Sequence, residues 1–164
     1  MPALLVIDDD PAILHVFRRA FSDASLTLLT VESAAEGLAL VADESVDVVV
    51  LDVVLPDQSG LDVFRRLKDT APKTPVIFIT ASSTSDTAIE AMKLGAFEYL
   101  LKPLDLARID EVVSKALEIR RFMAEPVAIA EESSDQDSGD VLVGSCAPMQ
   151  EVYKAVGRVA GQDV

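Results

Sequence analysis

Six polar residues stand where apolar runs end. Asp8, Asp9 and Asp10 follow "LLVI", Asp52 closes "VDVVVLD", Thr80 closes "TPVIFIT", and Lys102 follows "AFEYLL" just before Pro103. If the first and third runs are neighbouring strands, Asp9 and Asp52 lie within a few strand spacings of about 5 Å each. Several carboxylates so close cannot all stay ionised without a cation. Hard oxygens in a shallow, wet cluster suit Mg²⁺, which keeps several waters and takes one or two protein carboxylates. Lys102 would add a fixed positive charge beside them. One carboxylate is then available as a nucleophile, and carboxylates attack phosphorus to give aspartyl phosphates. Mg²⁺ and Lys102 would neutralise the oxygens of an incoming phosphoryl group, which is most of what phosphoryl transfer asks of a protein.

Each signal is weak alone. Adjacent aspartates at a strand end are usually a solvated turn, Asp10 is better read as a helix cap than a ligand, and a Lys-Pro pair is normally a loop. Their coincidence with Asp52 and Thr80 gives them weight. His15 has no second ligand in its helical pattern, and Cys146 reads as inert.

The elements that must position these groups alternate. Apolar runs at 3–8, 26–31, 46–52, 74–80 and 96–101 are short and mostly continuous, as strands buried on both faces of a parallel sheet read. "LTLLTV" is the most polar and suits an edge. Amphipathic stretches near 11–23, 34–43, 59–69, 85–94 and 105–123 separate them. Pro11 fits a first helical position after an Asp cap, and Gly95 fits a helix stop. Strict strand–helix alternation implies a doubly wound α/β sheet with right-handed crossovers. Its working site belongs at the carboxyl ends of the strands.

The 164 residues carry 14 basic and 28 acidic side chains, a net charge of −14, which argues against direct nucleic-acid binding. No apolar run approaches a membrane span, and no signal-peptide pattern opens the chain. The single cysteine, Cys146, excludes an internal disulfide and points to a reducing cytoplasm. Residues 126–140, "PVAIAEESSDQDSGD", hold no Lys or Arg and read as a solvated linker. Beyond it Met149, Val152, Val156 and Val159 recur at helical spacing.

"VIDDD", "VVVLDVVLPDQSGLDVF", "VIFITA" and "GAFEYLLKP" together resemble the receiver domain of two-component response regulators, from residue 3 to about 122. The resemblance implies a five-stranded flavodoxin-like or CheY-like sheet of order 2-1-3-4-5. It implies Asp52 as phosphoacceptor, Asp9 as direct Mg²⁺ ligand, Asp8 in support through water, and the backbone carbonyl of Val54 as a further metal ligand. Thr80 and Lys102 would each bind a phosphoryl oxygen, Tyr99 would be the aromatic switch, and the Lys102–Pro103 bond would be cis. The donor would be a sensor histidine kinase.

The tail "LVGSCAPMQEVYKAVGRVAGQDV" resembles the opening of the ATPase domain of sigma-54-dependent, NtrC-type activators. The expected organisation is a receiver at 1–123, a linker at 124–140 and the start of an ATPase domain at 141–164. No phosphate-binding loop follows, so RNA polymerase with sigma-54 would be reached only through further domains.

Three other functions fit these residues less well. A Mg²⁺-dependent phosphohydrolase usually has an acid two positions after the nucleophile, where this chain has Val54. An interaction module without phosphorylation would not need the Asp9, Asp52, Thr80 and Lys102 set. A flavin module would need Ser/Thr- and Gly-rich phosphate loops, and these loops present acids. The expectation is a phosphorylation switch rather than an enzyme.

In the last helix Ile109, Val112, Ala116, Ile119 and Met123 follow a 3, 4, 3, 4 spacing, an a/d stripe. With Leu106, Val113 and Leu117 facing the sheet, that stripe would face outward; the alternative is one wide stripe that faces the core. A homodimer through the fourth helix, fifth strand and fifth helix is expected.

Overall fold

The computed structural model describes residues 1–23, 25–81 and 85–125. The linker from residue 126, the ATPase-like tail and Cys146 lie outside the described residues. Residues Met1–Met123 pack as one compact unit. Its elements are β1 Ala3–Ile7, α1 Pro11–Ala20, β2 Thr27–Val31, α2 Ala34–Asp43, β3 Val48–Asp52, α3 Gly60–Thr70, β4 Val76–Thr80, α4 Ser85–Lys93, β5 Glu98–Leu101 and α5 Leu106–Ala124. All strand pairs are parallel, in the order β2-β1-β3-β4-β5. This is the doubly wound sheet expected above, and β2 is one of its edges.

The continuous apolar strands feed two cores, because successive side chains leave a strand on opposite faces. Leu4, Val6, Val48, Val50, Ile77 and Ile79 pack on one face with α1 and α5. Leu5, Ile7, Val49, Leu51, Val76 and Phe78 pack on the other with α2, α3 and α4. Phe64 of α3 meets Phe78 edge-on, with ring centroids 5.3 Å apart.

Helix starts follow their caps. Asp10 accepts from the Ala12 N–H at 2.9 Å and Pro11 opens α1. Ser33 caps α2 and Ser59 caps α3. Gly95 takes φ +94°, which glycine adopts without strain, and ends the turn after α4. Strand β5 begins two residues later than its apolar pattern, because Ala96 and Phe97 complete that turn; the Phe97 N–H already donates to Val76 O at 2.8 Å.

The outward stripe on α5 is corrected by the structure. Ile109, Val112 and Ala116 are buried in the core together with Val113, Ile119 is half-buried, and Leu106, expected inward, is exposed. Of the five stripe positions Met123, with Phe122 beside it, stands out in the solvent. The period of 3.5 locates the apolar positions, but helix α5 needs a wide stripe to cover a sheet face, and the a/d positions are that stripe.

Candidate functional site

The sheet order brings the predicted groups together. The β1–β3 pairing ends at Ile7↔Leu51, so Asp8 and Asp52 are the next residues on adjacent strands. The β3–β4 pairing sets Asp52 against Ile79, so Thr80 follows one step on. Lys102 follows β5 at the same rim, its backbone N–H donating to Thr80 O at 2.9 Å. The Lys102–Pro103 peptide is cis, as the family resemblance implied.

The lysine closes the site. Its Nζ lies 2.8 Å from Asp52 Oδ2 and 3.1 Å from Asp8 Oδ2. Asp52 is also held by its own loop, with Oδ1 accepting from the Val54 N–H at 2.9 Å. Asp8 is fully buried, and its Oδ1 accepts from the Asp10 N–H at 2.8 Å. Its Oδ2 has no hydrogen bond, although the ammonium is near enough for an ion pair. Burial pushes the Asp8 carboxyl up to about 6, with the Asp52 charge adding to the rise against the Asp10 N–H and Lys102. Burial works against the Lys102 charge, but the hydrogen bond to Asp52 and the close carboxylate of Asp8 outweigh it and hold its pKa above the ordinary lysine value.

Asp9, unlike its neighbour, is exposed. Even so, Asp8, Asp9 and Asp52 each offer an oxygen within 4.8 Å of one another. Three carboxylates face one ammonium there, and a buried oxygen lacks a donor, so the donor set fits one hard divalent cation. Val54 lies next to Asp52, and its side chain is exposed. Tyr99 is not drawn into the cluster: it sits within β5 opposite Phe78, with 38% of its surface exposed. Thr80 is buried at the end of β4.

Two residues of the site's support carried no role in the sequence reading. Gly60 lies so close to β3 that a Cβ there would sit 2.2 Å from Asp52 O. Asp57 reaches across to α2, where its oxygens accept from Ala34 N–H and Ala35 N–H at 3.1 Å each. "LPDQSG" reads locally as a turn, and only the fold supplies these partners.

A doubly wound sheet of order β2-β1-β3-β4-β5 that gathers three acids and one lysine on its carboxyl rim has the arrangement of the receiver class. Family comparison gives the same class: residues 4–114 match the response regulator receiver domain, and the chain belongs to that family. It is similar to the DNA-binding transcriptional regulator NtrC of Azospirillum brasilense, 36% identical over 161 residues, covering 98% of this chain and 33% of that protein. The response regulator protein PilR of Pseudomonas aeruginosa is 35% identical, over 95% of this chain and 33% of that protein. The chain thus spans about a third of the length of the curated relatives it matches. Among solved structures, a receiver domain protein from Clostridium thermocellum is 34% identical at a TM-score of 0.70, covering 75% of this chain and 99% of that one. The receiver domain of NtrX from Brucella abortus is 30% identical at a TM-score of 0.66, covering 70% of this chain and 98% of that one.

Proposed function

We propose that this receiver accepts a phosphoryl group on Asp52 from a sensor histidine kinase and so controls a downstream transcription-activating module. The observation that carries the reading is the contact of Lys102 Nζ with both Asp52 Oδ2 and Asp8 Oδ2 at the rim where Asp9 joins them. Asp52 Oδ1 accepts from the Val54 N–H and Oδ2 from Lys102 Nζ, so Oδ2 would attack phosphorus as the ammonium passes to the arriving group. The bond from phosphorus to the donor breaks, and the leaving nitrogen or oxygen keeps the electron pair. Lys102, already beside Oδ2, would pair with an oxygen of the arriving group. Asp8, Asp9, Asp52 and the Val54 carbonyl would hold Mg²⁺, which when bound supplies positive charge to the phosphoryl oxygens.

Thr80 would donate its hydroxyl to another phosphoryl oxygen. Tyr99, on the same edge region and partly exposed, would report that movement to the surface of α4 and β5. No residue in acid/base position follows Asp52, since Val54 is apolar, which supports a slowly reversed switch over a turnover enzyme. Apolar side chains at Ile89, Met92, Tyr99 and Leu101 support self-association through α4 and β5, without the buried α5 positions. An N-terminal receiver at 1–123 followed by a linker and a sigma-54-type ATPase fits the relatives' greater length, and a cytoplasmic setting fits such a regulator.

The test is incubation with a small phosphodonor and Mg²⁺ followed by intact mass. A gain of roughly 80 Da, one phosphate, lost in Asp52→Asn, is the expected result. Equal labelling of the variant would remove Asp52 from the role.

A further inference from the structure

The residues that carry the chemistry lie just past the last hydrogen-bonded pair of β1 and β3, Ile7 and Leu51. Beyond it each strand end is tied to its other neighbour. The Asp8 N–H donates to Val31 O of β2 at 3.2 Å, and the Val53 N–H donates to Ile79 O of β4 at 3.0 Å. No backbone bond therefore links Asp8 to Asp52 across the site among the described residues. A different connection runs behind them.

The loop after β3, residues 53–59, is closed at its base. Val54 and Ser59 form an antiparallel bridge, and the Gly60 N–H donates to Val53 O at 2.8 Å. At its tip Leu55 turns into the core, while the exposed Asp57 carboxylate spans the first turn of α2, with Oδ1 on the Ala34 N–H and Oδ2 on the Ala35 N–H. The first N–H groups of a helix need external acceptors. Ser33 Oγ takes the Glu36 N–H, so Asp57, from 23 residues away, supplies what the local cap does not. The Ala34 N–H holds the Asp57 carboxyl below the ordinary aspartate range despite some desolvation, and the Ala35 N–H adds to this. Helix α2 is in turn fixed to β1. Ala34 is fully buried, and Gly37 sits so close to Ile7 that a Cβ would lie 2.3 Å from its Cδ1. Ile7 is bonded in sequence to Asp8.

We propose that Asp57 is a positioning residue of the phosphoacceptor site. It ties the β3–α3 loop to α2, and through Ile7 to the end of β1, so that Asp52 and Val54 keep their distance from Asp8 and Asp9. The proposal rests on the function inferred above. Its physical basis is that a loop closed only at its base can pivot, whereas one pinned at both base and tip cannot. A carboxylate engaging two donors fixes direction as well as distance.

The experiment compares the parent with Asp57→Ala, Asp57→Asn and Ser33→Ala. Amide exchange at Ala34, Ala35 and Val54 is measured in chelated protein, with urea unfolding, Mg²⁺ titration followed by NMR, and the initial rate of phosphorylation. Ser33→Ala controls for loss of a helix cap alone and should lower stability without changing Mg²⁺ affinity. Asp57→Ala should speed exchange at all three amides and weaken Mg²⁺ binding and phosphorylation roughly fivefold, short of the tenfold or more seen when a partner of a metal ligand is removed. Asp57→Asn keeps one acceptor oxygen and should recover part of each. Parent-like exchange at Val54 in Asp57→Ala, or Mg²⁺ affinity that falls no further than in Ser33→Ala, would overturn the proposal. The Val54 exchange is read without phosphate or metal, so it answers for Asp57 even if Asp52 proves not to be the acceptor.

Discussion

Replacing Gly60 by alanine tests how closely α3 must approach the phosphoacceptor strand. The added Cβ would lie 2.2 Å from Asp52 O and 2.8 Å from Val53 Cα, where ordinary contact begins at 3.4 Å. Helix and strand must therefore separate by about 1.2 Å at this point. Neither side yields easily. The atoms struck are backbone, and α3 is pinned through Val63 and Phe64, both fully buried, and Leu67 at 2% exposure. Overpacking of this kind costs about 1–3 kcal/mol, and rigid backbone on both sides puts Gly60 at the upper end. The helical preference of alanine returns less than about 1 kcal/mol, so a net loss of about 2 kcal/mol is expected, too little to unfold a domain of ordinary stability. The larger effect falls on function, since a misplacement of about 1 Å can cost on the order of a hundredfold in rate. Urea unfolding and the initial rate of phosphorylation by a small phosphodonor measure both. Gly37→Ala is the comparison. Its Cβ meets side-chain atoms of Ile7, Cδ1 and Cγ1, rather than backbone, so the stability loss should be smaller than for Gly60→Ala. A Gly60→Ala protein within about 0.5 kcal/mol of the parent, phosphorylated at the parent rate, would refute the steric argument.

Ile109→Ala should cost about 2–5 kcal/mol in urea unfolding, because Ile109 is fully buried on the core face of α5. Met123→Ala on the same stripe should stay within about 0.5 kcal/mol; equal losses would restore the outward stripe. Lys102→Met leaves Asp8 and Asp52 facing each other without a cation. Removing one partner of a buried pair costs about 3–5 kcal/mol, and with Lys102 a fifth exposed we expect about 2 kcal/mol in chelated protein. Mg²⁺ should recover part of that loss, and unchanged or higher stability of the chelated variant would contradict it. Asp57 gives a pH dependence of known sign. Its folded pKa lies below the ordinary 3.8, so the clamp stabilises above that value and is lost as pH falls through the folded one. The stability difference between the parent and Asp57→Asn should therefore shrink below about pH 4, and a difference constant down to pH ~2 would exclude the clamp.

Much of the site was legible because it is carried by types that conflict with their surroundings. Acids at the ends of apolar strands, a hydroxyl at the end of β4 and a lysine before Pro103 are each expensive to bury. In an alternating α/β chain, strand ends meet on one rim, so Asp8, Asp9, Asp52, Thr80 and Lys102 could be grouped before any coordinates. The two cores follow from the same logic, since residues buried on both faces of a parallel sheet read as unbroken apolar runs.

What the linear pattern left open depends on which elements lie against each other. The spacing of Ile109, Val112 and Ala116 fits an exposed seam as well as a buried stripe; only their burial in the core that α5 shares with α1 and one sheet face chooses between them. Asp57 and Gly60 look like turn residues until the fold sets one against the first turn of α2 and the other against Asp52. The raised pKa of Asp8 is likewise a product of burial. Residue type and periodicity determined the elements and the chemistry they bring. Tertiary packing decided which groups are dehydrated, which backbone N–H finds which carboxylate, and how near two backbones come, because those depend on distances between segments far apart in the chain.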